Sequence, residues 1–280
     1  MKHFSTHPAP SIRLGGKLMS FELPKIMGIL NLTADSFYDG GQNTTLDAAL
    51  KHVEQMVHDG ADIIDIGGQS TRPGAALSLE EEELNRVVPV ISAIQKAFPN
   101  TILSVDTYRA RVAEEAIRAG AHIINDVSGG QLDQQMFATV AKLQVPYILM
   151  HMRGTPDTMQ QHTIYDDVVA DVAVELGHRI ATLRTLGVRD ILLDPGFGFA
   201  KTSAQNYELL LRVTELHYHG LPILGGISRK SMIYRKLDIS PAEALPGTIA
   251  LNTLLLERGV QLLRVHDVKE AKQLVNLLYS

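Results

Sequence analysis

The sequence predicts a (β/α)8 barrel, and three observations carry that reading. Short apolar, β-branched runs alternate with amphipathic helical stretches, there are eight of each, and no linker or low-complexity tract divides the 280 residues. The strand runs, in order, are KIMGIL, DIIDIG, TILSVD, HIIN, PYILM, ILLD, PILGG and LLRV. Helical stretches fall between them at 46–59, 79–97, 109–119, 132–143, 164–186, 203–214, 241–258 and 268–278, with Gly60, Gly120, Gly187 and Gly259 at positions where a helix closes on a left-handed residue. Before the first strand, residues 1–24 form an extension in which SIRLGGKLMSF is a hairpin over the barrel floor, and 1–280 reads as one domain. A doubly wound sheet is the alternative. Against it, no strand runs at once into a complete G-x-G-x-x-G turn that opens a helix.

Composition narrows the function classes. An apolar share of 45% with 20% charged residues is that of an ordinary globular chain long enough to bury a large core, and a net charge of -5 gives no reason to expect a nucleic-acid surface. Any anion site must therefore be local. The absence of cysteine excludes disulfides, zinc–thiolate sites and thiol catalysis. MKHFSTHPAPSIRLGGK has no apolar signal core, and no uncharged apolar run reaches the length of a bilayer span, so a cytoplasmic protein with no membrane partner is expected.

Most strands end on a polar residue. Asn31 follows MGIL, Asp65 lies near the end of DIIDIG, Asp106 closes TILSVD, Asn125 closes HIIN, and His151 follows YILM. Asp194 closes ILLD, Ser228, Arg229 and Lys230 follow PILGGI, and Arg264 with His266 end LLRVHD. One such Asp or Asn alone would be a helix cap or an Asx turn. Their repetition on the C-terminal face of a barrel, where active sites of this fold lie, together with cations, points to one shared pocket. Asp65 is the exception, read as a hydrogen-bonded core group. DPGFGFAKT fails as a phosphate loop, since Pro195 and Ala200 stand where glycine is needed; it reads instead as a binding loop that carries Phe197 and Phe199 over a flat heterocycle. Arg72, Lys230, Arg264 and His266 come from loops distant in sequence, and together they suit a diphosphate. The HYH of His217 to His219 has no third ligand for zinc.

These residues resemble the dihydropteroate synthase family. MGILNLTADSFYDGG, DIGGQSTRPGA, SVDT, INDVSGG, DPGFGFAK, GISRKS and RVHDV look like its signatures, in its order, from residue 27 to 268. The resemblance implies a transferase of folate biosynthesis that joins 6-hydroxymethyl-7,8-dihydropterin diphosphate to p-aminobenzoate and releases pyrophosphate with Mg2+ present, on a barrel that forms a homodimer through its outer helices. Carried over residue by residue, Asn31 ligates Mg2+, and Arg72, Arg264 and His266 hold the diphosphate. Asp106, Asn125, Asp194 and Lys230 line the pterin slot, while Thr71, Pro73, Phe199, Lys230 and Ser231 meet p-aminobenzoate. Asp106, Lys230, Arg264 and His266 are the groups expected to carry catalysis. A pterin edge offers adjacent N–H donors that the Asp194 carboxylate can accept in pairs, with Asn125 able to donate and accept. The Asn31 amide oxygen is a hard ligand, and Ser231 opens a helix whose N-terminus can receive a carboxylate.

The chain departs from the family's pattern at Ala34, Gln69 and Ala200, which replace a proline, a glutamate and a glycine. The first and last change the stiffness of two loops, and Gln69 removes a charge near Arg72. Two other readings remain at this level. A methyltetrahydrofolate:corrinoid methyltransferase barrel shares the pterin carboxylates but has no need of Arg72, Arg264 and His266 converging on a diphosphate. A pterin-binding paralogue without turnover is the other.

Overall fold

The computed structural model describes residues 10–32, 41–69 and 78–279, with 41–45 by backbone alone. A hairpin of β1 (Ser11–Leu14) and β2 (Lys17–Ser20) comes first, turned by Gly15 and Gly16, both left-handed, as a two-residue hairpin turn requires. Then follow β3 (Lys25–Asn31), α1 (Gly41–His58), β4 (Ile63–Gly67), α2 (Glu80–Ala97), β5 (Ile102–Asp106), α3 (Ala110–Arg118), β6 (Ile123–Asp126) and α4 (Met136–Leu143). The second half runs β7 (Tyr147–Met150), α5 (Val168–Thr185), β8 (Ile191–Asp194), α6 (Ser203–Leu211), β9 (Leu224–Gly225), α7 (Ser231–Leu237), α8 (Leu245–Glu257), β10 (Leu262–Val265) and α9 (Val268–Tyr279).

All eight sequence-predicted strands are present, parallel, in the order β8-β7-β6-β5-β4-β3-β10-β9, and a bridge between Leu193 and Ile223 joins the two ends of the sheet into a barrel. The helices depart from expectation at their edges. The stretch 241–258 divides into a 3-10 turn at Pro241–Glu243 and α8, because Pro246 suits only the first turn of a helix. The stretch 164–186 starts at Val168, where the Asp167 side chain accepts the backbone N–H groups of Val169 and Ala170.

Side chains on a strand alternate between its two faces, and in a closed barrel that alternation separates two cores. Ile26, Ile64, Ile66, Leu103, Val105, Ile124, Tyr147, Leu149, Leu193 and Leu263 face outward and pack under the helices. Met27, Ile63, Ile123, Ile148, Leu192, Leu224 and Leu262 face inward and form a floor with Ile12, Leu14 and Phe21 of the N-terminal segment. Among the described residues no helix is long and apolar enough to cross a membrane.

The floor gives a stability prediction. Phe21 is buried against it, so Phe21→Ala should cost about 3–5 kcal/mol in urea unfolding. A loss below about 1 kcal/mol would show that the N-terminal segment does not hold the floor.

Candidate active site

One layer above the floor the inward positions turn polar. Asp65, Asn125, Asp194 and Arg264 each stand two residues beyond an inward floor residue, namely Ile63, Ile123, Leu192 and Leu262. With Val127, Met150, Phe199, Gly226 and Lys230, three of these four, Asn125, Asp194 and Arg264, line a cleft at the C-terminal ends of the strands. A groove between α2 and α3, lined by Leu84, Pro89, Arg111 and Glu115 among others, is more open but gathers no comparable set of buried polar groups.

A charge cluster lies beneath one side of the cleft. Arg264 donates from Nε to Asp65 Oδ2 at 2.6 Å and from Nη2 to Asp106 Oδ2 at 2.6 Å, and Asn125 Nδ2 donates to the same Asp65 oxygen at 2.9 Å. Asp65 is fully buried. Burial pushes the Asp106 carboxyl up to about 7; Arg264 pulls against this, and the charges of Asp65, Glu83 and Asp126 add to it. Burial also works against the Arg264 charge, but the carboxylates of Asp65 and Asp106 more than offset it and hold the guanidinium above its ordinary range.

Asp194 and Lys230 form the opposite side. A Cβ placed on Gly226 would stand 3.8 Å from Asp194 Oδ2 and 3.9 Å from Lys230 Nζ, so the two groups flank a residue that has no side chain. Asp194 Oδ1 is occupied by the Gly196 N–H at 2.7 Å. Lys230 Nζ donates to the Phe197 carbonyl at 2.5 Å and sits 4.7 Å from the centre of the Phe199 ring. Burial lowers the Lys230 amine to about 8, with Asp194 drawing it back up.

Neighbouring residues often have opposite duties. Asn125 faces the cleft, whereas Asp126 faces outward and accepts from Ser128 N at 2.7 Å, Gly130 N at 2.8 Å and the Tyr147 hydroxyl at 2.7 Å. Asp126 thus folds the SGG loop, and Asn125 is the half of the pair that a ligand could reach. Lys230 faces inward, and Arg229, left-handed at φ 53°, clamps Asp267 through Nε and Nη2 at 2.9 and 2.7 Å. Ser228 meets His266 Nδ1 at 3.0 Å in the same junction, so the loops after β9 and β10 are tied together.

Of the sequence-predicted residues, the described structure brings together Asp106, Asn125, Asp194, Lys230, Arg264 and Phe199. Asn31 lies at the rim: a Cβ on Gly67 would be 3.8 Å from Asn31 Oδ1 and 3.6 Å from Asp106 Oδ2, which sets these two on either side of Gly67. Ser231 is half-buried at the start of α7, and His266 is exposed. Thr71, Arg72 and Pro73, and Ala34 among the departures, lie outside the described residues.

Two expectations need correction. Phe197 does not lie over a ligand; it is fully buried in the outer core, and Phe199 alone of the two reaches the cleft. His151 is off the pocket as well, since its position on the alternation sends it to α5, where Nε2 meets Glu175 at 3.1 Å. Asp65 is the hydrogen-bonded core group that the sequence suggests, and it holds Arg264 and Asn125 from beneath. Its inward position is legible too, because Asp65 follows Ile63 as Asn125 follows Ile123. Among the described residues no three His, Cys, Asp or Glu side chains gather as a metal cage; His217 and His219 each meet a backbone carbonyl instead, those of Arg258 and Ala173.

Comparison with known proteins adds to this geometry. A family model described as pterin binding enzyme matches residues 27–266. The chain is similar to the dihydropteroate synthase of Escherichia coli (strain K12), 44% identical over 265 residues that cover 94% of this chain and 93% of that one. It superposes on a Yersinia pestis dihydropteroate synthase in a sulfonamide drug complex with a TM-score of 0.89 at 43% identity, over 96% of this chain and 97% of that one. A Xanthomonas albilineans dihydropteroate synthase solved with 4-aminobenzoic acid matches with a TM-score of 0.89 at 40% identity, over 96% and 97% of the two chains.

Because Asp65 holds both Arg264 and Asn125, Asp65→Ala should cost about 3–5 kcal/mol by leaving a buried cation short of a partner. Urea unfolding measures it. A cost below about 1 kcal/mol would mean that Asp106 alone suffices for Arg264.

Proposed function

We propose that this chain, which belongs to the pterin-binding enzymes and among them to the dihydropteroate synthase family, joins 6-hydroxymethyl-7,8-dihydropterin diphosphate to p-aminobenzoate in the cleft above the barrel floor. The observation that carries this is the convergence of Asp106, Asn125 and Asp194, from three strands, and Lys230, from the loop after β9, around a slot suited to a flat polar ring. The same reading takes residues 1–280 as one pterin-binding domain, with the N-terminal hairpin as its floor.

The roles follow from what each group still has to offer. Asn125 has given its Nδ2 to Asp65, so its Oδ1 is left to accept a pterin N–H. Asp194 has given Oδ1 to Gly196, so Oδ2 accepts from the amino-oxo edge. Lys230, between Asp194 and the Phe199 ring, donates to the heterocycle from one side, and its stem covers the ring of p-aminobenzoate from the other. Phe199 with Thr71 and Pro73 forms the rest of that aminobenzoate site, and its carboxylate is received near Ser231.

The bond that breaks joins the pterin methylene to the diphosphate oxygen, and its electron pair leaves with pyrophosphate. The pterin ring spreads the positive charge that develops, and the ionised Asp106, at the end of β5, stabilises it in a water-poor cleft. The neutral aryl amine of p-aminobenzoate then forms the new C–N bond and gives up a proton. An aniline nitrogen needs no strong base for this, so placement and electrostatics carry the rate.

The leaving diphosphate requires more positive charge than the described cleft holds. Asp65, Asp106 and Asp194 face Arg264 and Lys230 there, three carboxylates against two cations. Arg264 has committed Nε and Nη2, which leaves Nη1 for a phosphate oxygen, with His266 and Arg72 as its companions. Magnesium completes the balance in this reading: Mg2+ commonly takes few protein ligands and bridges phosphates, and the single hard oxygen of Asn31 at the rim fits that pattern. Bound there, the ion would neutralise charge on the leaving group.

A homodimer belongs to the same proposal. The helix α8, LPGTIALNTLLLE, is apolar almost all round, and Ile249, Leu251 and Leu254 stay half-buried on the barrel's outside. Light scattering should give the mass of two chains, and Leu251→Glu should give one; a wild-type monomer would refute the dimer.

The activity is tested by pyrophosphate release from the dihydropterin diphosphate, with and without p-aminobenzoate. Asp106→Asn should slow single-turnover release by about 10²-fold or more while affinity for the diphosphate substrate changes little. Burial raises the Asp106 carboxyl to about 7, so the ratio of wild-type to Asp106→Asn release rates should grow from about pH 6 to about pH 8, while Lys201 and Lys230, lowered to about 7 and about 8, lose protons in both chains alike. Release by the variant within about twofold of wild type would remove the electrostatic role. No release by either chain would favour a protein that binds pterin without turnover.

A further inference from the structure

Lys201 is 3% exposed, yet it ends in an amine. Its Nζ donates to the carbonyls of Gly196 at 3.0 Å and Phe199 at 3.1 Å, and it lies 3.0 Å from His151 Nδ1. His151 is itself fully buried, and its Nε2 lies 3.1 Å from Glu175 Oε2 on α5. Burial lowers the ring to about 4 and the Lys201 charge pushes the same way, so the imidazole is neutral, accepts at Nδ1 and donates from Nε2. Glu175 in turn takes Arg153 through Nε at 2.8 Å and Nη2 at 2.5 Å. A hydrogen-bonded chain thus runs from the buried inside of the loop after β8 to the half-buried Glu175 on a surface helix.

The loop needs such a centre. Gly196, Gly198 and Ala200 are all left-handed, at φ 72°, 82° and 50°, and at Ala200 a side chain pays the steric cost of that conformation. What hangs on the loop is the working part of the cleft: Gly196 N holds Asp194 Oδ1, the Phe197 carbonyl holds Lys230, and the Phe199 ring lies beside that amine. We propose that Lys201 is a positioning residue that sets Asp194, Lys230 and Phe199 by wrapping their loop round its ammonium, with His151 and Glu175 as the chain that orients it. The assignment rests on the dihydropteroate synthase reading above. It places one side of the cleft under the control of a residue that no ligand touches, and leaves the Arg264 side independent.

The test compares wild type, Lys201→Met and Lys201→Met/Ala200→Gly, the last relieving the left-handed strain so that the loop's fold does not depend on Lys201 alone. Burial holds the Lys201 amine near 7 against the pull of Asp194, so binding is measured at about pH 6.5, where the amine is mostly protonated. Calorimetry with 6-hydroxymethyl-7,8-dihydropterin and with p-aminobenzoate in the presence of pyrophosphate should lose about tenfold or more in both variants, and inorganic pyrophosphate alone should change by less than about twofold. The KM for p-aminobenzoate should rise by at least about as much as kcat falls. The double variant should recover thermal stability without recovering pterin affinity. Recovery of both, or unchanged affinities in Lys201→Met, would make Lys201 a residue of the fold only and overturn the inference. Equal losses for all three ligands would overturn it too, since the Arg264 side should not respond. If wild type binds the pterin but releases no pyrophosphate, the activity reading fails separately from this one.

Discussion

Arg264 carries a full charge inside the barrel, and the carboxylates of Asp65 and Asp106 at 2.6 Å are the condition for that placement. Moving a guanidinium out of water costs several kcal/mol unless good hydrogen bonds replace the solvent. Here the replacement comes from two other strands, β4 and β5, and Asp65 also takes the Asn125 amide from a third, β6. The pair therefore does more than neutralise charge. It fixes which end of Asn125 faces a ligand and which edge of Arg264 remains, so the recognition pattern of the cleft follows from a contact beneath it.

The same cluster sets the site's electrical character. Three carboxylates crowd against two cations, and burial keeps Asp106 close to holding a proton at neutral pH. Such a slot favours a polar ring that both donates and accepts. It does not by itself favour a free polyanion, which accounts for the diphosphate being assigned to the rim, where Asn31 and the exposed His266 stand. Under the proposed function, binding of the ring and handling of the leaving group are thus electrically separate tasks on adjoining surfaces.

Much of this was legible in the sequence because a barrel strand has a simple period. The eight strand runs gave the fold, and the polar residues at their ends gave Asp106, Asn125, Asp194, Lys230 and Arg264. What strand ends alone did not give was parity. Counting by twos from the apolar floor separates Asn125 from Asp126, moves His151 to the helix side, and brings Asp65 into the site. Loops follow no such count. Phe197 and Phe199 stand equally in the sequence, but a chain with three left-handed residues between 196 and 200 turns one ring into the core and the other toward the cleft. Sequence pattern does not fix those turns, and it gives no sign that Lys201 binds the loop's carbonyls.

The loops share a device that parity explains. Where a strand ends, one residue turns to the cleft and its neighbour to the helices: Asn125 with Asp126, and Lys230 with Arg229 just beyond the short β9. The outward member is the anchor each time, Asp126 folding the SGG loop and Arg229 clamping Asp267, while the loop after β8 is anchored by Lys201 against His151. A ligand-facing polar group can spend only part of its hydrogen bonds on holding itself in place, as Asn125, Asp194 and Arg264 do, since the rest must remain for a ligand. The adjacent outward residue is the nearest group that can supply the rest, and it finds partners outside the cleft: loop N–H groups and the Tyr147 hydroxyl for Asp126, and Asp267 for Arg229. That is why the anchors of this site, Asp126, Arg229 and the Lys201–His151–Glu175 chain, are charged or polar side chains among the outer apolar residues of the barrel, where they would otherwise be out of place.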